Sequence, residues 1–368
     1  MNFFKFKSAT DPTTLDQGEQ INYLTKTMWV ERYAAPGEFK FESQLSNGLK
    51  EFLPIGTLVS HADTLEVMIV ENHEIKESEQ EDPAIVATGR SFVSYLENRI
   101  VGTTNARSPA GGNLKTPYLL TADYTWNQIV TLINDFIANP TWPNDSLVGV
   151  VASALVSGTG MSVERPVEFG SLLERVLDIL KVDDLGIRTV RKNTFGIGSS
   201  TNTLLQVYKG IDRSAKIFFS WKSGDLSSVG YLFSNKNDKN SVIVVGQYVV
   251  VAVDTGPTKY DRRIMMVDGS DIDGHLGASP AGSDITKIVQ DMTTLGQMAL
   301  AAQNSITIST SDISETSPYQ FRRDYDIGDL VTLDGNYGQI GVFRVTEYAE
   351  IEDETGESGH PTLSIPGV

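Results

Sequence analysis

The sequence contains no cysteine among its 368 residues, so the fold cannot depend on disulfides, thiolate nucleophiles or cysteine-bound zinc. Basic residues are also scarce relative to acidic ones, because 30 lysines and arginines stand against 47 aspartates and glutamates, a formal net charge of −17. A chain this acidic lacks the cationic surface with which proteins grip phosphate backbones or anionic membranes. We therefore expect neither stable DNA binding nor membrane binding.

Long hydrophobic runs are also missing. The longest, from Val242 to Val253, is interrupted by Gly246 and Gln247 and falls far short of the ~20 apolar residues that a membrane-spanning helix requires. The N-terminal residues contain no continuous apolar stretch of the kind found in targeting signals, which predicts a soluble protein made in the cytoplasm. The composition, 40% hydrophobic and 21% charged, is that of a globular protein of two or three compact units.

Histidines are few, and their spacing is not that of a zinc hydrolase. No two of the four histidines are spaced i, i+4, so they cannot form the zinc site of such an enzyme. Each is predicted to lie in a surface loop: His61, His73, His275 and His360. The run from Asp268 to His275 is acidic like a calcium loop, but its sixth residue is Asp273 and its twelfth position is Ser279, where an EF-hand needs Gly and Glu. A solvated turn is therefore favoured there, and whether the loop binds a cation is left open.

No other constellation supports a reaction. Gly196–Thr201 lacks the last glycine of the dinucleotide fingerprint, and Ser157–Gly160 is not a nucleophile elbow. Glycoside hydrolysis needs two carboxylates, and the sequence gives no reason to choose one pair among its 47 acidic residues. For Trp142 and Trp221, packing in a core or a cap is favoured over stacking on sugar rings. We predict no catalytic, cofactor-binding or metal-binding residue, and so no enzyme.

The first structured part of the chain is predicted to be β. Phe39 and Phe41 alternate onto one face of a strand, and strand-like runs occur at 29–33, 65–71 and 84–87. After an N-terminal extension, residues 1–26, the segment 27–102 is predicted to form a small β-barrel or sandwich. A flanking helix begins near Ser91, which is placed to cap it.

Helical periodicity dominates the next segment, 103–184. Thr125 with Gln128, and Ser171 with Glu174, have capping-box spacing ahead of apolar stripes, and Asn139-Pro140 is expected to end the first helix. This segment is predicted to be a mostly helical insertion.

Period-two alternation returns over 185–280 and predicts a second β-domain. Residues Asn235–Asn240 are predicted to be the tip of a hairpin that joins a strand at 230–233 to one at 242–245. In the last segment, 281–368, a helix is predicted from Asp284 to Gln303. It is followed by a closing hairpin of Leu330–Leu333 with Ile340–Val345, which could complete either β-domain.

Four segments resemble the siphophage type of bacteriophage tail hub (baseplate hub) proteins. They are Trp29-Val30-Glu31-Arg32-Tyr33-Ala34-Ala35-Pro36-Gly37-Glu38-Phe39, Val67-Met68-Ile69-Val70-Glu71, Gly89-Arg90-Ser91 with Leu96, Arg99 and Ile100, and Tyr325-Asp326-Ile327-Gly328-Asp329-Leu330-Val331. Their order and separation extend the resemblance over nearly all of residues 27–350. The loops around 105–117 and from Asp268 to Pro280 depart from it.

The resemblance implies an α+β, mostly β fold with two tail-tube-like β-barrel domains, a helical insertion and accessory segments. Three copies would present six tube-like domains, so a homotrimer could cap a sixfold tail tube at the distal end of the virion. The implied partners are the tail tube or distal tail protein, the tape measure protein and tip or fibre proteins. DNA would pass through the channel during ejection without being bound, and no cofactor is implied.

Two alternative functions stay open: a carbohydrate-binding receptor adhesin of the tail tip, and a tail-associated cell-wall hydrolase. In the hub interpretation five residues are architectural and join the first β-domain to the helix near Ser91: Trp29, Tyr33, Phe39, Gly89 and Arg90.

Overall fold

The computed structural model describes residues 1–6, 19–64, 66–77, 82–101, 118–138, 150–156, 163–191, 203–234, 239–254, 256, 261–273, 283–301, 306–313, 317–335 and 340–364. The strands in chain order are β1 Phe3–Phe6, β2 Glu19–Ile21, β3 Lys26–Arg32, β4 Glu38–Gln44, β5 Leu58–His61, β6 Met68–Lys76, β7 Ala84–Ser91, β8 Ile100–Val101, β9 Tyr118–Asp123, β10 Val150–Leu155, β11 Val163–Val167, β12 Gly170–Ser171, β13 Gly186–Arg191, β14 Thr203–Tyr208, β15 Phe218–Ser220, β16 Leu226–Ser234, β17 Ser241–Val245, β18 Val250–Asp254, β19 Ile264–Asp268, β20 Ile306–Ile313, β21 Leu330–Asp334, β22 Ile340–Asp353 and β23 Gly356–Ser364.

The helices are α1 Leu49–Phe52, α2 Thr125–Ile133, α3 Leu172–Val182, α4 Ser270–Asp273 and α5 Ser283–Ala301, with 3-10 turns at Leu45–Asn47 and Phe92–Asn98 and a π turn at Asn134–Ala138. The fold is thus mostly β, as predicted. Within the described ranges, none of the helices combines the length and apolarity needed to cross a bilayer.

The first β-unit, strands β1–β7, forms one half of a 13-stranded sheet. Phe39 and Phe41 are both buried in its core beside Trp29, which confirms the face predicted from their alternation. Strand β1 pairs with β5 and β2, so the residues predicted as an N-terminal extension contribute two strands to this sheet. The predicted helix after Ser91 is a 3-10 helix, and the Ser91 hydroxyl caps it by accepting the Val93 N–H.

The second β-unit, strands β15, β16 and β20–β23, forms the other half of the same sheet. The predicted closing hairpin is confirmed, because β21 pairs antiparallel with β22. Strand β22 also pairs with β3 and β23, so it connects the two halves. In the described part of the chain the strand order runs from β16 to β2 without closing into a barrel.

A middle unit, β8–β14 with α2 and α3, packs its apolar core against Leu58 and Val67 of the first β-unit. Besides the two predicted helices it carries strands, including the three-stranded sheet β10-β14-β13. The capping boxes were wrong: neither Thr125 nor Ser171 caps its helix through its side chain. Thr125 and Gln128 are instead buried, where both accept hydrogen bonds from Arg165, so the chain uses their polarity for that guanidinium.

A small α/β unit, β17–β19 with α4 and α5, is inserted between β16 and β20. The helix predicted from Asp284 is confirmed as α5, and its apolar stripe packs on β17 and β18. The predicted hairpin from 230–233 to 242–245 was wrong, since β16 pairs with β20 and β17 pairs with β18 and β19. Local turn residues could not reveal that the residues paired with β16 lie 72 to 87 positions farther along the chain. The strands of 185–280 are consequently distributed over three sheets.

Candidate functional site

The histidines occupy strands rather than the predicted surface loops. His61 lies in β5 with 2% of its surface exposed, His73 in β6 lies 2.8 Å from the Leu53 carbonyl oxygen, and His360 lies in β23 beside Ser358. The prediction of loops was wrong for these three, and only His61 is fully buried, because its ring packs against Phe3 and Trp29. His275 is outside the described residues.

Several candidate segments of the sequence also lie outside the described residues: Gly196–Thr201, Ser157–Gly160, Trp142 and the last two residues of the run from Asp268 to His275. The rest of that run ends β19 and forms α4. Across the ranges that the structure describes, no group of three or more His, Asp or Glu side chains could hold a metal ion. Trp221 was expected to pack in a core or a cap, but it lies 38% exposed in the turn after β15.

The Gly89-Arg90-Ser91 segment at the end of β7 holds this strand close to β6 and to the 3-10 helix that follows. A Cβ atom at Gly89 would lie 1.8 Å from the Ile69 carbonyl oxygen, so only glycine permits this approach of β7 to β6. Arg90 forms ion pairs with Glu71 at 2.9 Å and with Glu97 at 2.8 Å, connecting the strand to the 3-10 helix that follows.

Tyr33, at the end of β3, lies at the centre of a joint between the first, middle and second β-units. Its hydroxyl donates to the Asp184 carbonyl at 2.9 Å, and its ring packs edge-on against Tyr208 at 5.3 Å between centroids. The Arg344 guanidinium lies 4.8 Å from the Tyr33 ring centroid and pairs with the Asp184 carboxylate. Burial is the largest cause that raises the pKa of Tyr33 to about 12, so the phenol stays a neutral donor at physiological pH.

The Asp326–Leu330 segment completes this joint from the second β-unit. Gly328 has a φ of 91° and passes so close to Tyr33 that a Cβ would lie 2.5 Å from the ring. Asp329 is almost fully buried; it accepts the Ile211 N–H at 2.7 Å and forms an ion pair with Arg213 at 2.6 Å. Tyr325 packs edge-on against Phe219.

Arg322 joins the two halves of the large sheet. Its guanidinium donates to Glu31 of β3 at 2.6 Å and to Glu350 of β22 at 2.8 Å. Its φ of 63° is rare for a side chain of this size. Beside it, Arg32 of β3 pairs with Glu347 of β22 at 2.5 Å, opposite it in the strand register. Three elements distant in sequence are therefore held by charge-assisted hydrogen bonds.

A polar cavity of about 230 Å³ lies within the joint. It is lined by Glu31, Arg32, Asp63, Thr64, Glu66, Arg188, Thr189, Val190, Tyr208, Arg322, Asp326 and Ile327. The two oxygens of Glu66 accept from the Ser91 hydroxyl at 2.5 Å and the Thr189 N–H at 3.2 Å. Burial, helped by the charge of Glu31, nevertheless raises the pKa of Glu66 to about 8.

His61 and Glu350 meet near the same joint. The His61 Nδ1 lies 4.0 Å from the Glu350 Oε2, and neither atom has a hydrogen-bond partner in the part of the chain that the structure describes. Burial first, and then the charge of Arg322, lowers the pKa of His61 to about 4. Burial likewise raises the pKa of Glu350 to about 7. A neutral His61 thus lies beside a carboxyl group that titrates near neutrality.

This arrangement holds strands in place. Glu66 has both oxygens engaged inside the protein, and Glu31 and Glu350 are engaged by Arg322. Sequence reasoning missed His61, Glu66 and Arg322 as members of one site, although the resemblance segments at 29–39 and 325–331 both lie in the joint. No local spacing could have found the cluster, because its contacts join elements that are distant in sequence. Glu66 meets Thr189 of β13, and Arg322 meets Glu31 of β3 and Glu350 of β22.

Comparisons with known proteins agree with the fold. A sequence profile of the family described as Siphovirus ReqiPepy6 Gp37-like protein matches residues 11–363. A comparison with curated proteins found no match.

Three solved structures are similar over their whole length. The tail protein from Neisseria meningitidis MC58 is 12% identical, with a TM-score of 0.56 over 100% of this chain and 98% of that chain. The 43 kDa tail protein of prophage MuSo2 from Shewanella oneidensis is 12% identical, with a TM-score of 0.54 over 100% and 99%. Prophage tail protein gp18 from Listeria monocytogenes EGD-e is 10% identical, with a TM-score of 0.51 over 100% and 95%. At these identities the likeness extends to the fold alone.

Proposed function

The chain belongs to the Siphovirus ReqiPepy6 Gp37-like family, and from that membership we propose that it is a structural hub protein of a siphophage tail. The observation that carries the proposal is the end-to-end likeness of its fold to three tail proteins, which leaves almost no part of those chains unmatched. The hub would lie at the distal end of the tail and join the tail tube or distal tail protein, and the tape measure protein, to tip or fibre proteins.

The two β-units would be the two tube-like domains of the hub. Their arrangement supports this: each half of the large sheet has its own apolar core, and β22 pairs with both halves. A homotrimer would then present six such domains to a sixfold tube. The polar joint would fix the angle between the two domains of one chain, since its ion pairs connect β3, β22 and the Arg322 turn.

The trimer would surround a channel for DNA in transit. With 17 excess negative charges on each chain, a channel wall with more Asp and Glu than Lys and Arg would repel the DNA backbone and let it slide. Binding of double-stranded DNA at physiological salt by the purified protein would contradict this part of the proposal. So would a ring structure whose charges within about 8 Å of the axis are mainly basic.

Antibody labelling of intact tails tests the position of the protein. A gold-labelled antibody raised against the chain should mark one site, at the tail end farthest from the capsid, and an antibody against the tail tube protein is the control that marks the whole tube. Labelling along the tube, or no labelling of virions, would contradict the hub. Light scattering with negative-stain images of the purified chain should show a threefold ring, and a monomer would contradict the trimer.

An assay on purified cell walls distinguishes the hub from a hydrolase. We expect no release of soluble fragments, because Glu66 and Glu31 of the joint are held by internal partners. Measurable turnover by highly purified protein would replace the hub with an enzyme.

A further inference from the structure

One face of the small α/β unit exposes apolar side chains. Strands β17, β18 and β19 alternate, and one side of the sheet packs Val242 and Val244 against α5. The opposite side presents a set of residues that we name the sheet patch: Ile243, Val245, Val250, Ala252, Ile264 and Met266. Met266, at its centre, is 75% exposed. Because α5 also contacts α3 and β11, the sheet patch faces away from the middle unit.

A second apolar face lies on the second β-unit. Strand pairing places Phe218 and Val342 in one row across β15, β21 and β22, with Ile340 two residues away on the same face. Together with Trp221 in the adjoining turn they form the hairpin patch, and all four are exposed, Ile340 to 66%. Single exposed apolar residues need no explanation, whereas two clustered patches on different sheets indicate contact surfaces.

The charges around the two patches differ in sign. Asp254 and Asp268 are exposed at the border of the sheet patch, and Arg262 engages the first of them. The hairpin patch is bordered by Lys216 and Lys222, both exposed. On a chain with a net charge of −17, two lysines beside an apolar centre are unusual. At the border of the sheet patch Asp254 and Asp268 outnumber Arg262, so the excess charge there is negative.

We propose that the sheet patch of one copy of this chain docks on the hairpin patch of the next copy. This inference rests on the trimer of the proposed function and assigns its interface. Two different, complementary patches on one chain make a head-to-tail contact, and such contacts generate closed rings when the rotation between copies closes. The two lysines beside the hairpin patch reduce the repulsion between two acidic copies and attract the carboxylates beside the sheet patch.

Two substitutions and their mixture test the interface. Met266→Asp places a charge in the sheet patch and Phe218→Asp places one in the hairpin patch. Both sites are exposed, so each variant should still fold. Trp221→Asp is a second hairpin-patch variant in a turn, in case the strand variant fails to fold. Ile55→Asp, 65% exposed in a turn of the first β-unit, is the matched control. Sedimentation velocity measures the mass of each.

The wild type and Ile55→Asp should sediment as three chains of 40.2 kDa each. Each patch variant alone should be a monomer, with the dissociation constant raised about 100-fold or more, as expected for a charge placed in an interface centre. A mixture of Met266→Asp and Phe218→Asp should form dimers and nothing larger, since each pair then retains one intact sheet patch facing one intact hairpin patch.

Different failures have different meanings. Trimers that persist in Met266→Asp would overturn the interface but leave the hub intact, with the sheet patch assigned to another tail protein. A mixture that stays monomeric, or Phe218→Asp and Trp221→Asp that keep wild-type association, would overturn the head-to-tail pairing. A wild type that is monomeric at every concentration would overturn both the interface and the trimer of the proposed function.

Discussion

Replacing Glu66 by glutamine should make the protein more stable, and increasingly so as the pH rises. Glu66 is buried in the joint, and burial raises its pKa to about 8 from the ordinary value of 4.5. Between those two pH values the folded state keeps a proton that the unfolded state has released. The contribution of Glu66 to the stability of the wild type is therefore lost as the pH rises from about 4.5 through about 8. Glutamine has a similar shape and cannot ionise, so Glu66→Gln should not show this loss.

The size of the effect follows from the same difference. The difference between the folded and unfolded pKa of Glu66 lowers the free energy of unfolding by roughly 4 to 5 kcal/mol, at 1.36 kcal/mol per pH unit. The full loss is reached once the carboxylate is ionised in the folded state. For a chain of this length that is a difference in melting temperature of about 5 °C. Hydrogen bonds limit the gain, because Ser91 and Thr189 both donate to the carboxyl oxygens and one of them must now face an amide N–H.

Thermal melts of both proteins in buffers from pH 4.5 to 9 test the prediction. The melting temperature of Glu66→Gln minus that of the wild type should increase steadily with pH. Glu74→Gln, at an exposed position of β6, is the control and should follow the wild type throughout. Parallel curves for Glu66→Gln and the wild type would refute the reasoning, since they would mean that Glu66 ionises in the folded protein as easily as in water.

Three further substitutions test the packing and the joint. Phe39→Ala should cost about 3 to 5 kcal/mol in chemical denaturation, because the ring is buried against Trp29, and an unchanged midpoint would contradict that burial. Burial lowers the pKa of His61 to about 4, so the contribution of His61 to stability should be lost as the pH falls from about 6.5 through about 4, and a His61→Gln variant should lack that loss. A His61→Gln variant that loses as much stability over that range would exclude His61 as the cause. Arg165→Met should destabilise the middle unit by about 1 to 3 kcal/mol, because the buried Gln128 Oε1 then loses the hydrogen bond that it accepts from Arg165, and calorimetry showing no change would contradict this.

Local periodicity predicted the elements whose structure depends on neighbours in the sequence. The alternation of Phe39 and Phe41 identified the buried face of β4, and the apolar spacing after Asp284 identified α5. The hairpin of β21 and β22 was also recognisable, since its two strands follow one another closely. In each case the hydrophobic spacing that identifies the element lies within one strand, one helix or one hairpin.

Long-range strand pairing and the contacts of buried polar side chains could not be predicted from local periodicity. Strand β16 pairs with β20 across an entire inserted unit, and no turn residue near β16 indicates it. The spacing of Thr125 and Gln128 matched a helix cap, yet their side chains accept hydrogen bonds from Arg165 of β11. His61 has a polar side chain in a strand without clear alternation, so nothing in its neighbourhood predicted that it would be buried.

The β3–β22 pairing explains why the polar joint matters for an assembly protein. Arg32 lies opposite Glu347 in the register, and their ion pair forms only in that alignment. A slip of one residue would break it and turn every side chain of β22 to the other face of the sheet. The same slip would displace Glu350 from Arg322, leaving a buried charge without its partner at a cost of several kcal/mol. The joint therefore selects one relative orientation of the two β-units, and a ring built from both units of each copy requires that orientation to be the same in every copy.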